Sequence, residues 1–308
     1  MQIYRSISDF QKKENAIVTI GTFDGVHTGH RKILSRLTTL GKKQKGETIV
    51  LTFFPHPRMV LHPDDHGLKL LNTLDERIEL LSKLNIDHLI VHDFTKEFSK
   101  TTFLQFVRNI LVDAIGTKTL VIGYDHHFGR NREGTYKELK ELAPVYSFDL
   151  EKIEEEIIHE ITVSSTKIRR AIEKGNIALA NELLGYEYMV SGKVIRGDGI
   201  GKALGYPTAN ISPAEDYKLI PADGIYAVRV MVENENFMGM LYIGTRPTLN
   251  RTARGIEVNI FNFNKDIYGR NIRVSFCKRI RDDMRFTSTE ELSRQLGNDK
   301  KEALKILG

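Results

Sequence analysis

Between Ala16 and about Gly185, short β-branched or apolar runs alternate with amphipathic segments, the order of a parallel sheet covered by helices. The runs AIVTIG from Ala16, ETIVLTFF from Glu47, HLIVHDF from His88 and TLVIGYD from Thr119 predict strands. Between them Ile33, Leu34, Leu37 and Leu40 keep a helical period, as do Leu80, Leu81 and Leu84 and then Phe103, Phe106, Val107 and Ile110. After Gly185 the texture changes. The runs YMVSGKVI, GIYAVRVMV, FMGMLYIG, EVNIFNF and IRVSFCKRI are separated by Gly, Asn and Asp turns with little helix between them, which predicts a small antiparallel barrel or sandwich. A last amphipathic stretch, Thr289 to Leu307, carries Leu292, Leu296, Ala303, Leu304 and Ile306 and predicts a helix packed against that barrel. The expected organisation is therefore a doubly wound α/β domain over residues 1–185 and an all-β domain with a C-terminal helix over residues 186–308.

Composition narrows the function classes. A chain of 308 residues, 41% hydrophobic and 28% charged, is long enough for two cores and too apolar for a disordered or fibrous protein. Its one cysteine, Cys277, cannot form an internal disulfide and leaves no zinc pattern, which fits a reducing, cytoplasmic setting. The N-terminal MQIYRSISDFQKKENA lacks the basic-then-apolar layout of a signal peptide, and no apolar run reaches the roughly 18 residues of a membrane span. No membrane association is expected. The net charge of +5 comes from 45 basic residues spread among 40 acidic ones, so the balance favours phosphorylated ligands without pointing to nucleic acid. No obligate protein partner is predicted.

Two constellations carry chemistry. The strand AIVTIG runs into Gly21-Thr22-Phe23-Asp24-Gly25-Val26-His27-Thr28-Gly29-His30, after which an amphipathic helix begins. Glycines let the backbone turn tightly and approach a ligand, and the free N–H groups and positive end of the helix favour phosphate. Two imidazoles three residues apart, His27 and His30, can add hydrogen bonds to the same group; the alternative, a zinc pair, has no third ligand at a recognisable distance. A second helix start, Ser164-Ser165-Thr166-Lys167-Ile168-Arg169, offers hydroxyls for capping and, one turn on, a guanidinium able to hold phosphates. In the second half, Gly197-Asp198-Gly199-Ile200-Gly201 reads as a phosphate-covering loop, since Gly205 and Pro207 exclude the helix that a dinucleotide fingerprint requires. Pro207-Thr208-Ala209-Asn210 then presents a hydroxyl and an amide oxygen on one side of an extended segment, either hard oxygen ligands for Mg²⁺ with ATP phosphates or a structural turn.

HTGH after a first α/β strand together with SSTKIR resembles the nucleotidyltransferase superfamily, and the longer GTFDGVHTGH resembles bacterial FAD synthetases, as do FFPHP at Phe53 to Pro57 and GYDHHFGRNREG at Gly123 to Gly134. The stretch GKVIRGDGIGKALGYPTANI resembles the signature of riboflavin kinases, joined by GIYAV, IGTRPT and GIEVNIFNFNKDIYG. The order agrees with the bifunctional bacterial riboflavin kinase/FMN adenylyltransferase family. The resemblance implies a Rossmann-like nucleotidyltransferase domain followed by a riboflavin-kinase β-barrel. It implies two reactions: riboflavin and ATP give FMN and ADP, and FMN and ATP give FAD and pyrophosphate, both with Mg²⁺. By the resemblance His27 and His30 contact ATP phosphates in a turn that includes Gly21, Phe23 and Gly29. Ser164, Thr166 and Arg169 hold the leaving pyrophosphate, and Phe54, Asp125 and Phe128 line the flavin side. In the kinase, Gly199, Gly201 and Thr208 meet ATP phosphate, Thr208 and Asn210 the metal, and Glu257 stands at the general base. Asn259 and Asn262 depart from the family pattern, which has His and Asp near that base.

Overall fold

The computed structural model describes residues 1–63, 67–123, 128–130, 133–153, 163–197, 201, 204–245 and 254–308. They form two compact units, Met1–Leu68 with Leu74–Ser164, and Lys69–Thr73 with Ser165–Gly308.

In the first unit six strands, β1 (Gln2–Tyr4), β2 (Ala16–Ile20), β3 (Glu47–Phe54), β4 (His88–Asp93), β5 (Thr117–Gly123) and β6 (Asp149–Ile153), make one sheet in the order β1-β4-β3-β2-β5-β6. Every pairing is parallel. Every residue of β2 is buried because helices cover both faces of such a sheet, which is why its central strands read as unbroken apolar runs. Val18, Ile49, Leu51 and Leu120 lie in the core with Phe106, Val107 and Ile110 of the π-helix Phe106–Ile115. From β2 the chain steps to β3 and β4 on one side, then crosses to β5 on the other. That reversal opens a crevice at the carboxyl ends of β2 and β5, where open α/β sheets take their ligands.

The second unit is a closed antiparallel barrel of β7 (Tyr188–Ile195), β8 (Ala209–Pro213), β9 (Gly224–Val232), β10 (Glu235–Thr245), β11 (Arg254–Ile260) and β12 (Asn271–Arg281), in the order β10-β11-β8-β7-β12-β9. Closure leaves no unpaired edge. The helix Thr289–Leu307 has the predicted bounds; Ser288 caps it by accepting from the Glu291 N–H at 3.2 Å, and Ala303 and Leu307 pack on Ala227, Met240 and Phe261. Asp299 on this helix is buried, and its charge is matched by Arg281 of β12, whose Nε and Nη2 reach the two carboxylate oxygens at 2.9 and 2.7 Å. The helices Ser165–Glu173 and Ile177–Leu184 also belong to this unit, as does the short segment Lys69–Thr73. That segment runs beside Lys218: Leu70 exchanges backbone hydrogen bonds with Tyr217 and Leu219, and the buried Lys218 Nζ donates to the Leu71 carbonyl at 2.5 Å and lies 4.5 Å above the Tyr188 ring.

Three strands were not among the predicted runs, namely β1, β6 and β8; the runs AIVTIG and HLIVHDF overshoot their strands by one residue and EVNIFNF by three. EVNIFNF stops being a strand at Ile260, because Asn262 adopts the left-handed conformation at φ 54°, which Asn tolerates better than most residues. Leu84 likewise falls beyond the helix Leu74–Ser82, ahead of Asn85 at φ 53°.

Cys277 on β12 is half-buried, and burial, followed by the Glu187 carboxylate 3.2 Å from its Sγ, pushes its thiol up to about 12. Only about one molecule in ten thousand then carries a thiolate at about pH 8. Intact-mass measurement after iodoacetamide treatment at that pH is expected to show no adduct on the folded protein and one adduct after denaturation.

Candidate functional site

The first constellation forms at the carboxyl end of β2. Beyond Ile20 the backbone takes three left-handed residues, Phe23 at φ 48°, Gly25 at 90° and Val26 at 37°. For a β-branched valine that conformation is strained, and strain of this kind is kept where the surrounding structure needs the geometry. The result is a sharp reversal that delivers His27 to the N-cap of the helix Thr28–Gln44. His27 Nδ1 accepts the His30 N–H at 3.3 Å, so in the neutral ring the proton sits on Nε2. The His27 and His30 rings stack at 3.6 Å with 17° between planes, and Phe23 meets His30 edge-on at 5.2 Å. Gly29 leaves room for this: a Cβ there would stand 3.3 Å from the His27 ring. His30 is held well below the usual histidine value of 6.5, first by burial, then by the neighbouring His27 and Arg77. Its Nδ1 is buried with no hydrogen-bond partner among the described residues, a polar position that a ligand or water must complete.

The structure thus brings Gly21, Phe23, His27, Gly29 and His30 together in one turn. Phe54 ends β3 and is partly buried. Phe128 lies in the sheet's core, its ring 5.3 Å from that of Phe103 and 5.2 Å from that of Phe106. Asp125 lies outside the described residues. Ser164 ends the first unit, whereas Thr166 and Arg169 lie on the helix Ser165–Glu173 of the second, Thr166 exposed and Arg169 with its Nε on the Lys69 carbonyl at 2.9 Å.

The second constellation is built across three barrel segments. In the β8–β11 ladder Asn210 stands opposite Glu257. The Thr208 hydroxyl donates to Glu257 Oε2 at 3.2 Å, and Glu257 is only 6% exposed. Gly201 closes a turn over them, its carbonyl accepting from the N–H groups of Leu204 and Tyr206 at 3.2 and 2.8 Å. A Cβ on Gly197 would collide with the Asn210 amide, so a larger residue there would displace the Asn210 side chain. Gly199 lies outside the described residues, as do residues 246–253 after β10. Asn259 does not stand idle where the family pattern has another residue: its Nδ2 donates to the Pro207 carbonyl at 2.6 Å, fixing the start of the PTAN segment. Gly201, Thr208 and Glu257 open onto a cavity of about 400 Å³ whose further walls include Tyr242, Phe286 and Leu296. An apolar chamber with a few convergent polar groups is the usual form of a small-molecule site. Sequence reasoning missed its apolar wall, since Phe286 and Leu296 look like ordinary loop and helix residues until the C-terminal helix folds back.

Thr208, Asn210 and Glu257 supply hydroxyl, amide and carboxylate oxygens and no soft ligand, a donor set that fits Mg²⁺ completed by phosphate oxygens and not zinc. Among the described residues no group of three or more His, Cys, Asp or Glu side chains is placed to hold a metal unaided.

A doubly wound sheet with a strained, histidine-bearing helix start, followed by a closed barrel with a carboxylate at a cavity wall, suits a transferase that handles phosphorylated substrates. The family model of FAD synthetase matches residues 9–167, and that of riboflavin kinase residues 184–307. A bifunctional riboflavin kinase/FMN adenylyltransferase of Buchnera aphidicola subsp. Acyrthosiphon pisum is 36% identical, the match covering 97% of this chain and 96% of that one. Its namesake in Escherichia coli K12 is 34% identical over 100% and 98% of the two chains. The chain belongs to the bifunctional riboflavin kinase/FMN adenylyltransferase family. A crystal structure from Streptococcus pneumoniae, described as a macrolide-efflux protein, superposes with a TM-score of 0.86 at 30% identity over 98% of this chain and 97% of that one. Here no described helix is long and apolar enough to cross a membrane.

Proposed function

We propose that the two reactions divide along the chain as their motifs do, with residues 1–185 adenylylating FMN and residues 186–308 phosphorylating riboflavin. The chain is a riboflavin kinase and FMN adenylyltransferase, and ATP is the co-substrate of both steps. What carries the division is Glu257, buried and hydrogen-bonded by Thr208 at the wall of a cavity.

In the kinase, Glu257 accepts the proton of the riboflavin 5′-hydroxyl as that oxygen attacks the γ-phosphate, and ADP leaves. The apolar wall receives the flavin, and the Gly199–Gly201 loop and Thr208 position the phosphates. Thr208 and Asn210 would hold Mg²⁺, which would neutralise charge on the phosphate oxygens.

In the adenylyltransferase, an FMN phosphate oxygen attacks the α-phosphate of ATP and pyrophosphate departs. No protein nucleophile is required. His27 Nε2–H, His30, the Gly29 region and the free N–H groups of the helix start donate to the phosphoryl oxygens as charge develops there. Ser164, Thr166 and Arg169 hold the pyrophosphate, while Phe54, Asp125 and Phe128 form the flavin side, Phe128 by backing the site from the core. We place the enzyme in the cytoplasm, where ATP is plentiful and a lone cysteine stays reduced, and assign it neither a nucleic-acid nor a membrane partner.

The test is chromatography of flavins after incubation with Mg²⁺ and ATP. FMN and FAD are expected from riboflavin, and FAD from FMN. Absence of FMN in the first mixture would refute the kinase assignment, and absence of FAD in the second the adenylyltransferase assignment.

A further inference from the structure

Within the first unit two buried charges, Glu76 and Arg77, belong to no motif. Arg77, on the helix Leu74–Ser82, is 3% exposed, and burying a guanidinium is costly unless carbonyls or carboxylates receive it. Its Nη1 donates to the Thr22 carbonyl at 2.5 Å and its Nη2 to the Phe53 carbonyl at 3.3 Å. These two acceptors are not equivalent to any others in the sheet. Thr22 immediately precedes Phe23, the first left-handed residue of the strained turn that carries His27 and His30. Phe53 precedes Phe54 at the end of β3, the neighbour of β2 in parallel register. The fork of one side chain therefore pins two adjoining strand ends beyond the last β2–β3 pair, Ile20 with Leu51, while Phe53 is still paired with β4. Thr52 Oγ1 adds a weaker bond to the Thr22 carbonyl at 3.3 Å.

We propose that Arg77 is a positioning residue of the adenylylation site, holding the Thr22 and Phe53 carbonyls so that the turn bearing His27 and His30 keeps its phosphate-binding geometry. A lysine can reach one carbonyl but cannot span both, because only the planar fork presents paired donors. The charge itself has a second consequence. Among the described residues, the charged or titratable groups acting on His30 are His27 on its own turn and Arg77 from the neighbouring helix, and both disfavour a second positive charge there. Arg77 thereby helps keep His30 neutral as the solution is made acidic.

The proposal rests on the assignment of His27 and His30 to FMN adenylylation, so the experiment separates the two. The full-length wild type, Arg77→Lys, Arg77→Gln and His30→Ala are assayed for FAD formation from FMN across pH, for FMN formation from riboflavin, and for thermal unfolding. In Arg77→Gln we expect kcat for FAD formation to fall by about thirtyfold or more with KM for ATP little changed, a loss confined to transition-state geometry. The acid limb of its pH profile should move upward, since loss of a nearby like charge lets His30 protonate sooner. Arg77→Lys should show the slowed kcat with the acid limb in its wild-type place, because charge is kept and the fork is lost. Unchanged kcat in both variants overturns the proposal. So does equal kcat loss with lowered thermal stability and an unmoved acid limb in Arg77→Gln, which is the mark of a merely structural arginine. Wild-type FAD formation by His30→Ala would instead overturn the assignment of the site itself.

Discussion

Glu257→Gln is expected to lower FMN formation from riboflavin by about a thousandfold, the middle of the range for loss of a general base and equivalent to about 4 kcal/mol of barrier. The substitution is nearly isosteric, and an amide oxygen can still accept from the Thr208 hydroxyl, which lies 3.2 Å from Glu257 Oε2. Folding of the barrel and the shape of the cavity should therefore survive, and the loss should be in kcat with KM for riboflavin little altered. The second reaction is the internal control. FAD formation from added FMN should remain within about twofold of wild type, since Glu257 belongs to the second unit and His27 and His30 to the first. With riboflavin as the only flavin, neither FMN nor FAD should accumulate, because the first step feeds the second. A kcat for FMN formation within about tenfold of wild type would show that Glu257 is not the base and that its burial, at 6% exposure, serves the barrel alone.

Sequence pattern showed most of the scaffold, and the reason differs from element to element. The central strands β2, β3, β4 and β5 are legible because burial on both faces demands unbroken apolar runs. The C-terminal helix is legible because one face packs on the barrel and the other meets water. Strands that escaped notice lack such a signal: β1 has only three residues, and β6, Asp149–Ile153, is a charged edge strand. β8 is hidden for another reason, since Ala209–Pro213 ends in proline and opens within a motif whose chemistry drew the attention. The histidine turn and the Thr208–Glu257 pair could be suspected from residue type and order. Their geometry could not. The close approach of Gly197 to Asn210 and the left-handed Val26 exist only once remote strands are paired. Arg77 is the extreme case. Within LDERIELL it looks like one more charge on an amphipathic helix, and nothing local signals that its acceptors are backbone carbonyls of Thr22 and Phe53. Backbone carbonyls carry no sequence identity, so a charge that serves them leaves no pattern to read. The segment Lys69–Thr73 is similar: it joins the second unit through backbone bonds to Tyr217 and Leu219 and through the Leu71 carbonyl.

His30→Ala is expected to cut FAD formation from FMN by about a hundred- to a thousandfold, the cost of deleting one preorganised donor to a charge that develops in the transition state. FMN formation from riboflavin should continue at about the wild-type rate, so a mixture that normally ends in FAD should now stop at FMN. Two features of the site decide how the loss should look. His30 is neutral well below pH 6.5, so the wild-type reaction should hold its rate into mildly acid solution and then fail as the imidazole protonates. The direction follows from what the proton does there: a second positive charge beside His27 and Arg77 breaks the arrangement that burial and those neighbours enforce. The alanine variant, already slow, has no such group left to protonate, and the His30 component of the acid limb should disappear from its profile. The second feature is the stacking of the two rings at 3.6 Å, with the His30 N–H bonded to His27 Nδ1 at 3.3 Å. Partners in contact do not contribute independently, so the His27→Ala, His30→Ala double variant should be markedly less impaired than the product of the two single losses. Full multiplicative loss would mean that each histidine meets a different part of the phosphate chain. Sub-multiplicative loss means that the pair acts as one unit, a single donor surface that the left-handed turn, the glycine and the helix start exist to present.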